Sequence, residues 1–169
     1  MSSTSAATAE RPGALDRAAY WLTVSGVYFL VGMLFFYSGK GKLFDDNGHA
    51  PAAMMQQFEG TFIDKVPGID TAWVIVGVME FGILLLMVLS IVRGEFLPHR
   101  RKSLLLVALA LTLLNFVCLS FGQTSTGNNE GTASLYSYFG SIAVIFVLVL
   151  MLPPNGSVDW LGRRRRGSE

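Results

Sequence analysis

The chain has 169 residues, a formal net charge of +1 and a mean hydropathy of +0.48. Only 15% of its residues are charged, whereas soluble domains usually carry about 25%, and its charges are concentrated between long apolar runs. This composition excludes a soluble globular fold, and the near-neutral net charge gives no reason to expect a nucleic-acid partner.

The first predicted element is a polar N-terminal tail, residues 1–17, which is rich in alanine, serine and threonine. Such a composition favours a disordered segment. The apolar run that follows, residues 18–39, is long enough to span a membrane and has no small-residue cleavage motif after it. We therefore interpret it as an uncleaved signal anchor and the first transmembrane helix.

Three more apolar runs follow, at residues 72–92, 103–122 and 135–152. A helix of about 20 apolar residues crosses a hydrocarbon core about 30 Å thick, so each run is long enough to cross it. Only helices and closed barrels satisfy all of their backbone hydrogen bonds in lipid. The sequence therefore predicts an all-α membrane protein, with four transmembrane helices in one bundle.

The longest connection is the predicted external loop, residues 43–70, between the first and second spans. Pro51 suits the first turn of a helix, and Ala52, Met55 and Phe58 share one side of the helix that would follow it. We expect an amphipathic helix at the membrane interface, or a re-entrant helix that covers the bundle.

Lysine and arginine are distributed unevenly between the two sides of the predicted bundle. Ten of them flank the spans on the side that carries both termini, including the basic tail at residues 153–169, and three lie on the other side. The positive-inside rule therefore places both termini in the cytoplasm and predicts a multi-pass protein of the bacterial plasma membrane. The residues that we expect to contact lipid head groups as anchors are Arg100, Arg101, Lys102, Trp160, Arg163, Arg164, Arg165 and Arg166.

Several polar residues lie inside the predicted spans, in the half of the bundle nearer the external loop. Glu80 is about 12 Å below the outer end of the second span, and Asn115 has a similar depth in the third. An intramembrane carboxylate is costly and commonly marks a function, and its expected cationic partner is Lys42 or Lys40. Hydrogen bonding between helices is the alternative role. The candidate site consists of Glu80, Lys42, Lys40, Asn115, Tyr37, Ser38, Tyr138 and Ser141.

Two short motifs carry a family resemblance. The first span ends in GKGKLF at residues 39–44, and the second span contains GVMEFGILLLMVL at residues 77–89. Together they resemble the DoxX-like family of small four-helix integral membrane proteins, with Lys42 and Glu80 as the best-matching positions. The resemblance implies a subunit of a quinol oxidase or a thiosulfate:quinone oxidoreductase, or a role in thiol and oxidative-stress systems.

Three functions are compatible with these features. The first is a non-catalytic accessory subunit of a larger membrane complex, respiratory or redox-related, in contact with the bilayer and with other membrane protein subunits. The second is a quinone- or lipid-binding redox partner, in which Glu80 accepts a proton and Tyr37, Asn115 and Ser141 orient the head group. The third is a small proton-coupled transporter, although the sequence shows neither repeated halves nor broken helices.

The sequence predicts neither a metal site nor a covalently bound cofactor. Its single cysteine, Cys118, excludes an intramolecular disulfide, a Cys-x-x-Cys redox pair and an all-cysteine metal site. A quinone or a structural lipid is the ligand that we expect, no catalytic residue is assigned, and we do not expect the chain to be an enzyme by itself.

Overall fold

The computed structural model describes residues 13–45 and 47–154. No β-strand occurs in these two stretches, and the predicted all-α fold is confirmed. The elements are α1 (Ala14–Lys40), a π-helical turn (Gly41–Asp45), α2 (Ala52–Phe58), α3 (Phe62–Lys65), α4 (Ile69–Val92), α5 (Ser103–Ser125) and α6 (Asn129–Met151).

Helices α1, α4, α5 and α6 are each long and apolar enough to cross a membrane. These helices are compatible with a multi-pass membrane protein whose apolar surfaces contact a lipid bilayer. Helix α6 begins at Asn129, earlier than the apolar run alone predicted. The reason is a cap, because the side-chain oxygen of Asn128 accepts a hydrogen bond from the Gly131 N–H at 2.9 Å.

An even number of long helices returns the chain to the side where it started. We call the end of the bundle that carries the start of α1, the α4–α5 connection and the end of α6 the terminal end. The opposite end, which carries α2 and α3, is called the loop-helix end.

The long helices pack in chain order, with α1 on α4, α4 on α5 and α5 on α6. Their shared core is apolar, and Val31, Phe35, Ile83 and Val149 are almost fully buried in it. Helices α1 and α6 are not a closely packed pair among the described residues. The Phe35 ring of α1 instead meets the Phe116 ring of α5, with 6.4 Å between their centroids. The bundle is therefore open along one side, between α1 and α6.

The short helices α2 and α3 lie in the connection between α1 and α4, at the loop-helix end. Phe58, the last residue of α2, is buried against α5, where a Cβ on Gly122 would lie 3.5 Å from its ring. Gln57 donates from Nε2 to Gln123 Oε1 at 2.8 Å and to Thr126 Oγ1 at 3.1 Å. These contacts hold α2 against the end of α5, so the loop contains a helix where Pro51 predicted one.

Candidate functional site

The central feature of the site is a buried ion pair between Lys42 and Glu80. Lys42 Nζ donates to both carboxylate oxygens, at 2.9 Å to Oε2 and 3.1 Å to Oε1. Glu80 is 2% exposed and Lys42 is 8% exposed. Two charges in this position must satisfy each other, because neither lipid nor apolar side chains can replace water around them.

Lys40, the other lysine expected as a partner of Glu80, points away from the bundle. Its Nζ is 2.9 Å from both carboxylate oxygens of Asp45, and about half of each side chain is exposed. An exposed pair of this kind contributes little to stability. The structure therefore separates the two lysines, with Lys42 inside the bundle and Lys40 on its surface.

Lys42 reaches Glu80 because its backbone approaches α4 very closely. A Cβ on Gly77 would lie 3.1 Å from Lys42 Cβ and 3.0 Å from Leu43 Cδ2, and a Cβ on Gly39 would lie 3.5 Å from Glu80 Cβ. Both glycines thus set the spacing between α4 and the end of α1. The π-helical turn carries Lys42 and Leu43 into this contact. Such turns are rare and are found frequently at functional sites.

The Lys42 ammonium makes two further contacts. It donates to Ser38 Oγ at 2.6 Å, and it lies 5.0 Å from the centre of the Trp73 ring. The two Glu80 oxygens and the Ser38 oxygen together match the three N–H donors of an ammonium. Because the Ser38 oxygen accepts this bond, the Ser38 O–H remains a donor, and we find no acceptor for it in the described part of the chain.

Ser38 also lines a groove of about 820 Å³ on the open side of the bundle, between α1 and α6. Tyr37, Tyr138 and Ser141 line the same groove, so it brings together half of the predicted site residues. The remaining wall is apolar and consists of Leu30, Met33, Leu34, Phe116 and Ile142.

The polar groups of the groove differ in what holds them. The Tyr138 ring stacks on Phe116, with 5.9 Å between centroids and an interplanar angle of 21°. Ser141 donates to the Ser137 carbonyl oxygen of its own helix at 2.9 Å. Tyr37 is 64% exposed. Its ring is in edge contact with Phe36, with 5.4 Å between centroids. The groove therefore presents two phenols and the Ser38 hydroxyl as donors.

Asn115 forms no hydrogen bond with the ion pair and does not line the groove. It is fully buried in α5, and neither its Oδ1 nor its Nδ2 has a hydrogen-bond partner within residues 13–45 and 47–154. Its role in orienting a head group stays a prediction.

No group of three or more His, Cys, Asp or Glu side chains among the described residues is placed to hold a metal ion. The chain matches no family model, no curated protein and no solved structure. The ion pair and the groove are therefore the features from which we infer a function.

The predicted lipid anchors differ in their exposure. Arg100 and Arg101 are exposed at the terminal end. Lys102 is fully buried, which differs from the expectation that it faces lipid head groups. Trp160 and Arg163–Arg166 lie outside the described residues.

Lys102 is held inward by backbone carbonyl oxygens. Its Nζ donates to the carbonyl oxygens of Pro153 and Arg100 and lies 5.5 Å from the centre of the Tyr20 ring. Burial lowers the pKa of Lys102, and the negative charge of Glu95 acts in the opposite direction. Lys102 therefore ties the α4–α5 connection to the C-terminal end of α6.

A second buried carboxylate, Glu95, was not among the predicted residues. Its oxygens accept hydrogen bonds from the N–H groups of Leu104 and Leu105, each at 3.0 Å, and from Ser90 Oγ at 2.8 Å. The Ser90 and Tyr28 hydroxyls are 2.6 Å apart. Glu95 thus caps the N-terminus of α5, although it is seven residues before the N-cap residue, Lys102. The sequence feature that could have indicated this role is an acidic residue shortly before an apolar span.

Proposed function

We propose that this protein binds an amphipathic, lipid-soluble molecule in the groove between α1 and α6. The head group of the ligand accepts hydrogen bonds and belongs to the quinone or phospholipid class. One observation carries the proposal: Ser38 lines the groove and also accepts a hydrogen bond from the buried Lys42 at 2.6 Å.

The ion pair acts on the groove through Ser38. Glu80 fixes the Lys42 ammonium, and the ammonium polarises the Ser38 hydroxyl, which strengthens its remaining O–H as a donor. A carbonyl oxygen of a bound head group accepts that hydrogen bond, and the phenol of Tyr138 supplies a second donor. In this proposal Glu80 and Lys42 are positioning residues and do not touch the ligand.

The dimensions of the groove favour a small amphipathic ligand over a partner helix. Its volume of about 820 Å³ lies within the range of roughly 300–1,000 Å³ that is usual for ligand sites. Along α1 its wall extends from Leu30 to Ser38, about 12 Å, whereas a partner helix would follow a core about 30 Å thick. Polar groups at Tyr37 and Ser38, followed by apolar wall at Leu30, suit a head group and its tail.

Ligand retention tests the proposal. The protein is purified in mild detergent, and bound quinones and phospholipids are extracted and counted per protein by mass spectrometry. Leu34→Trp fills the groove, and Leu85→Trp adds the same bulk to an α4 position that is 52% exposed and does not line it. We expect wild type and Leu85→Trp to retain equal amounts of ligand, and Leu34→Trp to retain about one molecule fewer per protein. Equal retention by the two variants would refute the proposal.

Ser38→Ala tests the hydrogen bond that links the groove to the ion pair. One hydrogen bond contributes on the order of 1 kcal/mol, so affinity should fall roughly fivefold. The retained molecule also decides the ligand class, because a quinone and a phospholipid differ in mass. Unchanged affinity of Ser38→Ala would remove Lys42 and Glu80 from the binding mechanism.

An accessory-subunit role is the second candidate, and the exposure of α6 favours it. Among the described residues α6 packs closely on α5 alone, and Val144, Val147 and Met151 are more than half exposed. A partner helix along this face would agree with the DoxX-like resemblance and with a respiratory or redox-related complex. A blue-native gel after mild extraction tests it, and migration as a small homo-oligomer without other subunits would contradict it.

We further propose that the terminal end faces the cytoplasm of a bacterial cell and that the groove opens toward the outer leaflet. The lysine and arginine bias supports this orientation. In a Cys118→Ser background, Thr126→Cys should react with an impermeant maleimide on intact cells, and His99→Cys should react only after lysis. The reverse pattern would invert the orientation.

A further inference from the structure

A second cavity, of about 480 Å³, lies at the terminal end, where α4 ends and α5 begins. It is separate from the groove between α1 and α6 and shares no lining residue with it. Its lining consists of Arg93, Glu95, His99, Arg100, Arg101 and Ser103.

The charge of this cavity is positive, because its lining has three arginines and one carboxylate. The guanidinium groups of Arg93, Arg100 and Arg101 form no ion pair with a carboxylate of the described residues. Glu95 is the one acid in the lining, and its oxygens already accept bonds from two α5 amides and from Ser90. Three arginines therefore line a cavity whose one carboxylate is hydrogen-bonded to α5 and to Ser90.

The position of the cavity specifies the kind of anion. Val92 ends one apolar helix and Ser103 begins the next, so the cavity lies at the level where the membrane-spanning surface stops. Exposed apolar side chains continue from it along both helices, with Val92 77% exposed and Val107 48% exposed. A soluble phosphate would make no use of that surface, whereas acyl chains would lie along it.

We propose that this cavity binds the head group of an anionic phospholipid. Arg93, Arg100 and Arg101 hold the phosphate, because the planar guanidinium group makes paired hydrogen bonds to phosphate oxygens. His99 and Ser103 border the glycerol or head-group hydroxyls, and the acyl chains lie on α4 and α5. The proposal does not depend on the ligand of the groove.

Native mass spectrometry of the full-length, delipidated protein in detergent tests this site. The probes are phosphatidylglycerol, phosphatidylcholine and inorganic phosphate as a competitor. The variant Arg93→Gln/Arg100→Gln/Arg101→Gln removes the three cationic groups of the cavity. The matched control Arg164→Gln/Arg165→Gln/Arg166→Gln removes the same charge from the C-terminal tail.

We expect phosphatidylglycerol to bind wild type and the tail variant with similar affinity, and phosphatidylcholine to bind neither. Three lost arginine contacts should weaken phosphatidylglycerol binding to the cavity variant by roughly 100-fold. Equal binding by the cavity variant, greater loss in the tail variant, or displacement of the lipid by millimolar inorganic phosphate would each overturn the proposal.

A lysine version keeps the test decisive if the glutamine variant does not fold. Arg93→Lys/Arg100→Lys/Arg101→Lys keeps the charge but loses the paired geometry of the guanidinium. We expect it to fold with a circular dichroism spectrum like that of wild type and to bind phosphatidylglycerol at least threefold more weakly. Affinity equal to wild type would show that only general electrostatic attraction acts there.

Discussion

The bundle contains two buried carboxylates, and they are satisfied in different ways. Glu80, in α4, is paired with a single charged group, the side-chain ammonium of Lys42, at 2.9 and 3.1 Å. Glu95, in the α4–α5 connection, accepts two backbone N–H groups of α5 and one serine hydroxyl. Both side chains are at most 5% exposed.

This difference indicates different roles. The donors to Glu95 are two backbone N–H groups of α5 and the Ser90 hydroxyl of α4, so its hydrogen bonds join α4 to the start of α5. The Glu80 pair, in contrast, continues through Lys42 to Ser38, which lines the groove between α1 and α6. Glu95 therefore acts as a helix cap. In the proposed function, Glu80 positions Lys42 and, through Lys42, the hydroxyl of Ser38.

The largest expected effect is that of Glu80→Gln, which leaves the Lys42 ammonium buried without its counter-charge. Removing one partner of a buried pair usually costs about 3–5 kcal/mol. Unfolding in mixed detergent micelles should show a loss of this size. The double variant Lys42→Met/Glu80→Leu should recover to within about 1 kcal/mol of wild type, because both charges are gone. A double variant as unstable as the single one would show that the pair is not the cause.

The next effect is that of Gly77→Ala, which separates α4 from the π-helical turn. The added Cβ would lie 3.0–3.1 Å from Leu43 and Lys42, and overpacking of this kind costs about 1–3 kcal/mol. Gly82→Ala on the same helix is the control, because its Cβ would have nothing within 4 Å. That control should be neutral or stabilising by up to about 1 kcal/mol. Equal unfolding midpoints for the two variants would argue against a close contact between Gly77 and the π-helical turn.

A smaller effect is expected of Glu95→Gln, because the amide keeps one oxygen that can accept from α5. The loss should be about 1–2 kcal/mol, typical of a weakened helix cap. Adding Lys102→Met should not rescue it, since Lys102 bonds to carbonyl oxygens and not to Glu95. A rescue in the unfolding free energy would make Glu95 the partner of an ion pair, like Glu80.

The smallest effect is expected of Lys40→Gln, which removes the surface pair with Asp45. Exposed pairs contribute roughly 0–1 kcal/mol and are screened by salt. The unfolding midpoint should therefore stay near that of wild type at moderate ionic strength. A loss comparable to that of Glu80→Gln would place Lys40 inside the site.

Much of this fold follows from the sequence, since an apolar run of about 20 residues is typical of a transmembrane helix. An intramembrane acid such as Glu80 likewise requires a nearby cation. Helical periodicity could not choose between Lys40 and Lys42, because a π-helical turn changes the register at this point. The groove depends on which helices are neighbours in space, which periodicity does not encode. Glu95 was missed because its partners are backbone groups of α5.

The most direct test compares ligand retention in two variants that we expect to fold. Lys42→Met/Glu80→Leu removes the polarising charge behind Ser38 without leaving a buried ion. Glu95→Gln weakens the cap of α5 and changes no residue that lines the groove. Occupancy of the groove is the bound quinone or phospholipid, counted by mass spectrometry, that Leu34→Trp fails to retain. It should fall at least severalfold in the first variant and stay at the wild-type level in the second. Full retention by Lys42→Met/Glu80→Leu would contradict the account.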